Sequence, residues 1–261
     1  MLPPDAARWV LPLVSAVFGG AIGSFLNVVI YRLPNGISLI TPPSHCPVCK
    51  KPIRWFDNVP VLGWIMLGGR CRDCRTWISM RYPIVEAVTA AMFAAVAVVQ
   101  SPGQPAYACF VLLLCTLLCA ALMEVDRDRP PLKLFLPAMI VGAVAPFVTA
   151  CPRLVATWSC VSIQPSTDIR GIVTFELAVA VFFAVEAWLL SRKTVASSSS
   201  ETFFWSILCV GLLFGWLTVG IVGLAVVPVH FALFPLRRAF PSVRIPFSML
   251  LFVAVLVWIL A

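Results

Sequence analysis

Cys46-Pro-Val-Cys49 and Cys71-Arg-Asp-Cys74 are the residues most plainly spaced for chemistry. A Cys-x-x-Cys turn presents two thiolates to one side, and two such turns separated by twenty-one residues suit a single tetrahedral Zn²⁺. With all four coordination positions filled by protein, the ion would be a structural staple and not a catalytic centre. Lys50, Lys51, Arg70, Arg72 and Arg75 surround the cysteines and would offset the charge of four thiolates. A redox reading competes, but redox pairs come singly on a thioredoxin-like βαβ unit, which this stretch lacks. His45 is expected to be a loop residue beside the site, and His230 a packing residue inside an apolar segment.

The elements that must hold this cluster are set by composition. Hydrophobic residues make up 61% of the 261 and charged residues 11%, with a mean hydropathy of +0.99. Soluble domains carry about 25% charged residues, so this pool cannot cover a water-facing surface. An integral membrane protein is the expectation. A disordered chain, a nucleic-acid-binding domain and an extracellular disulfide scaffold are excluded. The net charge of +8 is then explained by basic loops on one side of a bilayer, with no nucleic-acid partner.

A helix needs about 20 apolar residues to cross the hydrocarbon core. Trp9 to Tyr31 carries no charge and is too long for a signal-peptide core, so it reads as a retained first span. Ala87 to Met123 is also uncharged but is broken by Ser101-Pro102-Gly103-Gln104-Pro105, which makes two helices at 83–100 and 106–124. Further spans are expected between Lys133 and Arg153, at 171–191, twice within 202–236, and at 245–261. Residues 154–167 are expected to lie at the interface, and 192–201, with its serine run, to be a polar linker. No internal repeat is visible. The expected fold is an all-α polytopic membrane protein of about eight transmembrane helices carrying a small cytoplasmic four-Cys zinc module. Its parts are a first helix (1–31), a zinc-binding loop domain (32–82) and a seven-helix membrane domain (83–261).

Orientation follows from the basic residues. With the N-terminus outside, the inner loops hold 16 Lys and Arg and the outer ones only Arg8, Arg153 and Arg170. Both termini then lie outside and the zinc loop faces the cytoplasm.

Three stretches support a family resemblance. Gly23-Ser24-Phe25-Leu26-Asn27-Val28-Val29-Ile30-Tyr31-Arg32-Leu33-Pro34 leads into the cysteines, Trp55-Phe56-Asp57-Asn58-Val59-Pro60 lies between the pairs, and Arg81-Tyr82-Pro83-Ile84-Val85-Glu86 follows. In order and spacing, residues 19–90 resemble the N-terminal part of type IV prepilin peptidases, the leader peptidases and N-methyltransferases of pilus and type II secretion systems. Arg244-Ile245-Pro246-Phe247 resembles the family's Pro-Phe start of the last helix.

The resemblance implies an intramembrane-type aspartic protease of the bacterial inner membrane. Its partners would be pilin-like precursors with N-terminal leader peptides, and the lipid bilayer. Besides structural Zn²⁺, it brings S-adenosylmethionine as a methyl donor, although no Rossmann-type glycine fingerprint is present. The family's aspartates open an Asp-x-Asp-x₄-Pro-x₅-Pro stretch and close a Gly-x-Gly-Asp motif. Counting back from Pro137 and Pro131 puts Glu124 at the first catalytic position, with Asp126 two residues on. The second motif is absent. Gly211 and Gly215 resemble the glycines after it, and the nearest acid is Glu201.

Two readings stay open. One is an active peptidase using Glu124 or Asp126 with Glu201. The other is a catalytically degenerate homologue that binds or assembles, in which Glu124, Asp126 and Asp128 merely alternate with Arg127 and Arg129 in a solvated loop. A transporter reading finds few intramembrane acids beyond Glu176 and Glu186. The basic asymmetry predicts that a reporter fused after Ala261 is active only outside the cytoplasm. Activity confined to the cytoplasm would overturn the topology.

Overall fold

The computed structural model describes residues 4–126, 128–148, 205–210 and 247–260. Its named helices are α1 (Pro4–Arg32), α2 (Leu62–Met66), α3 (Arg81–Val99), α4 (Pro105–Val125), α5 (Leu132–Val148) and α6 (Phe247–Leu260). A 3₁₀ turn, Trp55–Asn58, precedes α2, and residues 205–210 are helical. No strand occurs among the described residues, in keeping with an all-α fold; pairing is limited to two isolated bridges.

Three helices are long and apolar enough to cross a membrane: Trp9–Arg32, Arg81–Val99 and Tyr107–Val125. Together with the composition they mark an integral membrane protein. They coincide with the first three expected spans. Shorter apolar helices cover Leu132–Val141, overlapping the expected fourth span, and Ser248–Val257, within the expected last one. The expected span at 171–191, most of 202–236, the segments 154–167 and 192–201, and Glu176, Glu186, Glu201 and His230 lie outside the described residues.

The chain divides into two compact units, Met1–Val111 and Leu112–Ile259. In the first, α1 packs along α3, and glycine sets how closely. A Cβ at Gly19 would stand 2.7 Å from the Thr89 carbonyl and from Phe93 Cβ, and one at Gly23 only 2.8 Å from Glu86 Cα. Gly19-x-x-x-Gly23 is thus a small-residue stripe that lets two backbones approach, the usual device where hydrophobicity does not drive helix association. Thr89 is fully buried, and its hydroxyl is satisfied by the Val85 carbonyl one turn earlier at 2.8 Å. Away from this seam α1 exposes Leu13, Val17 and Phe18, as a lipid-facing helix should.

In the second unit the later part of α4 is enclosed by protein. Leu113, Leu114, Leu117 and Met123 have no exposed surface, nor does Phe135 of α5. Cys115 and Cys119 on α4 and Cys209 are buried free thiols that act as small hydrophobes.

Replacing Gly19 with valine should force α1 and α3 apart, at a cost of about 1–3 kcal/mol typical of overpacking. Thermal unfolding of the full chain in detergent would read this as a lowered midpoint. An unchanged midpoint would show that the seam is not tight.

Candidate metal centre and helix-end carboxylates

The loop between α1 and α3 is built from two near-identical arms. In the first, the Lys50 amide donates to the Cys46 carbonyl (2.9 Å) and the Cys46 amide to the Lys51 carbonyl (3.0 Å). In the second, Arg75 donates to Cys71 (3.0 Å) and Cys71 to Thr76 (2.8 Å). Each arm is closed by a bridge, His45 with Pro52 and Arg70 with Trp77. The residue after each second cysteine takes a left-handed backbone, Lys50 at φ 59° and Arg75 at φ 60°, which turns the chain back beneath its own thiols. The sequence shows no repeat at first sight, yet Cys-x-x-Cys followed by a cation is a structural repeat of one turn.

The four sulfurs of Cys46, Cys49, Cys71 and Cys74 lie within 4.8 Å of one another, an arrangement that could hold a metal ion. Cys46 and Cys74 Sγ are 3.7 Å apart. Zn–S bonds of about 2.3 Å in a tetrahedron put sulfurs about 3.8 Å apart, so this edge already has the required length. The electrostatics are those of crowded thiols. A hydrogen bond from the Cys49 backbone, opposed by burial and aided by Val48 and the neighbouring sulfurs, lowers the Cys46 thiol to about 6. At Cys74 the Thr76 backbone favours the thiolate, but burial and hydrogen bonding with Cys71, Cys46 and Cys49 override it and push the thiol up to about 11. Four thiolates cannot coexist here without a cation to neutralise them. His45 is outside the cluster; its Nδ1 lies 3.0 Å from the Pro43 carbonyl.

The surrounding cations do more specific work than offsetting charge. Arg72 makes a bidentate pair with Asp57, at 2.8 Å from Nε and 2.6 Å from Nη2, and so ties the second arm to the Trp55–Asn58 turn. The Asp57 carboxyl is lowered chiefly by that hydrogen bond, against the effect of burial. Lys51 reaches Asp73 at 3.0 Å and joins the two arms. Arg32, a buried residue at the end of α1, donates to the Ser38 carbonyl (2.9 Å) and the Pro42 carbonyl (2.7 Å), folding the start of the loop over the helix.

Glu86 fixes the loop to α3. Buried one turn into the helix, it accepts the Val61 amide at 2.7 Å. Val61 has φ 62° and ψ −52°, with the Leu62 amide 2.6 Å from the Pro60 carbonyl. This is a positive-φ γ-turn, strained for a β-branched residue. Asn27 ties α1 directly to the first turn of α3, from Nδ2 to the Tyr82 carbonyl at 3.2 Å. Within the loop, Trp64 Nε1 donates to the Ile78 carbonyl (3.0 Å), and its ring lies 2.7 Å from where a Cβ on Gly69 would stand. Neither Glu86 nor the glycine stripe stands out from residue type; the Gly-x-x-x-Gly spacing in an apolar run was the readable signal for the stripe.

Of the candidate acids, Glu124 is half-buried in the last turn of α4, where the Ser248 hydroxyl of α6 donates to its Oε2 at 2.6 Å. Asp126 follows the helix and is exposed, its amide on the Leu122 carbonyl. Glu201 lies outside the described residues, so Glu124 and Asp126 are the acids whose setting is described.

Comparison with known proteins identifies the first of these regions. The family described as Bacterial Peptidase A24 N-terminal domain matches residues 17–100. The resemblance to the type IV prepilin peptidase family is borne out. The chain is 41% identical over 150 residues to a prepilin leader peptidase/N-methyltransferase of Klebsiella pneumoniae, covering 54% of this chain and 65% of that protein. It is 37% identical over 160 residues to a type 4 prepilin-like proteins leader peptide-processing enzyme of Escherichia coli O78:H11, covering 54% and 59%. With a prepilin leader peptidase/N-methyltransferase of Myxococcus xanthus it shares 39% identity over 132 residues, covering 50% and 39%. The chain therefore spans between 39% and 65% of the length of these prepilin peptidase relatives. No solved structure matches.

Changing Cys46 or Cys71 to serine should abolish metal retention and loosen the loop while leaving the α1–α3 helices folded. Elemental analysis together with hydrogen exchange of the full chain checks both halves. Wild-type protein purified without metal, or serine variants that keep it, would refute the centre.

Proposed function

We propose that the chain is a prepilin leader peptidase-like membrane endopeptidase of the aspartic type, acting on type IV pilin-like precursors. The observation that carries this reading is the setting of Glu124: a carboxylate at the end of a buried helix, held by a hydroxyl from α6. The similarity to named leader peptidases supports it. Glu124 or Asp126 would work with Glu201. One carboxylate takes a proton from the attacking water; the other, protonated, donates to the scissile carbonyl oxygen, and the leaving amine is protonated as the intermediate collapses. The Ser248 hydroxyl limits the rotamers of the longer glutamate side chain, which has one methylene more than the family's aspartate.

Cys46, Cys49, Cys71 and Cys74 would hold one structural Zn²⁺, which takes no part in the chemistry because every position is filled. N-methylation of the product, with S-adenosylmethionine as donor, belongs to the same proposal through the relatives' names. The chain would cross the bacterial inner membrane eight times, its termini outside and its zinc loop (32–82) cytoplasmic, with 83–261 as the membrane domain.

A second reading is favoured by the sequence at the site itself. Glutamate replaces the first aspartate and no Gly-x-Gly-Asp motif is present, as expected of a degenerate homologue serving pilus or secretion-system assembly. Cleavage of a pilin-like leader peptide by the membrane-embedded chain separates the two. If the chain is active, Glu124→Gln or Glu201→Gln should slow cleavage about 10²- to 10⁴-fold, the usual worth of an acid–base group, with metal content unchanged. Wild-type protein that leaves the leader uncut would contradict peptidase activity.

A further inference from the structure

The loop between α1 and α3 does not stay clear of the two helices. Pro60 packs on Gly20, whose Cβ would meet Pro60 at 3.3 Å and Ala90 at 3.9 Å, and Val61 is bonded to Glu86. Measured from Arg81 at 1.5 Å per residue, Glu86 and Ala90 lie about 8 and 13 Å along α3. The span Arg81–Val99 has 19 residues, which reach only about 28 Å. The hydrocarbon core is about 30 Å thick. A helix that short would have no turns to spare outside the bilayer, which would place Pro60 and Val61 at acyl-chain depth.

The segment is suited to that depth. Polar backbone inside a membrane must be satisfied by protein, and here the Val61 amide has Glu86 and the Leu62 amide has Pro60. α2 follows at once. Its Leu62, Ile65 and Met66, at positions i, i+3 and i+4, share one uncharged face. They are 56%, 59% and 77% exposed, while Gly63 is buried. Water would be a poor neighbour for that stripe, and a bilayer a good one.

Charge points the same way. Asp57 and Asp73, the acids between residues 33 and 80, are taken up by Arg72 and Lys51. Lys50, Arg54, Arg70 and Arg75 have no carboxylate at salt-bridge distance among the described residues. Arg70 lies 4.9 Å over the exposed Trp77 ring, an amphipathic pair of the kind found at headgroup level.

We propose that α2 is a membrane-inserted interfacial helix: its Leu62, Ile65 and Met66 face enters the acyl region of the bilayer that α1 and α3 cross, and the unpaired cations of the four-Cys loop engage anionic phospholipid headgroups. The four-Cys loop is thereby a lipid-binding surface as well as a metal module. This holds whether or not the chain is a peptidase.

The full chain in phosphatidylcholine vesicles, with and without phosphatidylglycerol, can be photolabelled with a lipid-soluble carbene or a water-soluble one and read by peptide mass spectrometry. The lipid-soluble reagent should label Leu62–Met66 as strongly as Val17 and Phe18 of α1, and the water-soluble reagent should spare it. Phosphatidylglycerol should strengthen the contrast. Preferential labelling of Leu62–Met66 from water overturns the insertion, as does chain-to-chain crosslinking through Ile65, which would mean a second copy covers the face. Labelling indifferent to phosphatidylglycerol overturns the headgroup contact.

Discussion

Non-helical backbone at membrane depth has no water to bond to, and one carboxylate meets that requirement here. The Val61 amide, in a strained turn, is received by Glu86 from inside α3 at 2.7 Å. A buried glutamate in a membrane helix is costly, and the hydrogen bond it accepts from the Val61 amide offsets part of that cost. Glu86 can stand there because Gly23 lets α1 pass within contact of its backbone, and the loop beyond Val61 is positioned from that point. The four-Cys centre is thus the far end of a chain of contacts that starts at the glycine seam.

Within the loop, ion pairs and a four-sulfur cluster that could hold a metal ion divide the work. Arg72 with Asp57 and Lys51 with Asp73 join the arms to each other and to the Trp55–Asn58 turn. Exposed pairs contribute little stability singly, and the loop buries few large apolar side chains: in residues 33–80 Cys46 is the one buried hydrophobic residue. A loop so poor in core needs a staple, and four sulfurs within 4.8 Å of one another could hold a metal ion in that role. The same scarcity of core leaves Leu62, Ile65 and Met66 outward-facing, which in water would be a liability and in a bilayer is an anchor.

Much of this was legible from residue types. Charge-free runs located α1, α3 and α4 because crossing a bilayer needs length and apolarity, and both are local properties. The Cys-x-x-Cys pairs showed their cluster because ligand spacing is also local. Glu86, Arg32 and Ser248 were not legible in their roles. Each acts on a partner brought near by folding: Ser248 meets Glu124 across 124 positions of sequence. Arg32 read as one more basic loop residue and is instead a buried donor to two carbonyls. Lys51 and Arg72 read as counter-charges to thiolates, and their carboxylate partners became visible only when the two arms were set side by side.

The anchoring role of Glu86 is tested most directly by hydrogen exchange at the Val61 amide in the membrane-embedded full chain. In the wild type it should be protected, and in Glu86→Ala, where the unbonded turn leaves the acyl region for water, it should exchange rapidly while the Cys46 and Cys71 amides, bonded to Lys51 and Thr76 within their own arms, stay protected. A Val61 amide that exchanges freely in the wild type, or one that Glu86→Ala leaves protected, would contradict the view that this carboxylate holds the loop to the membrane helices.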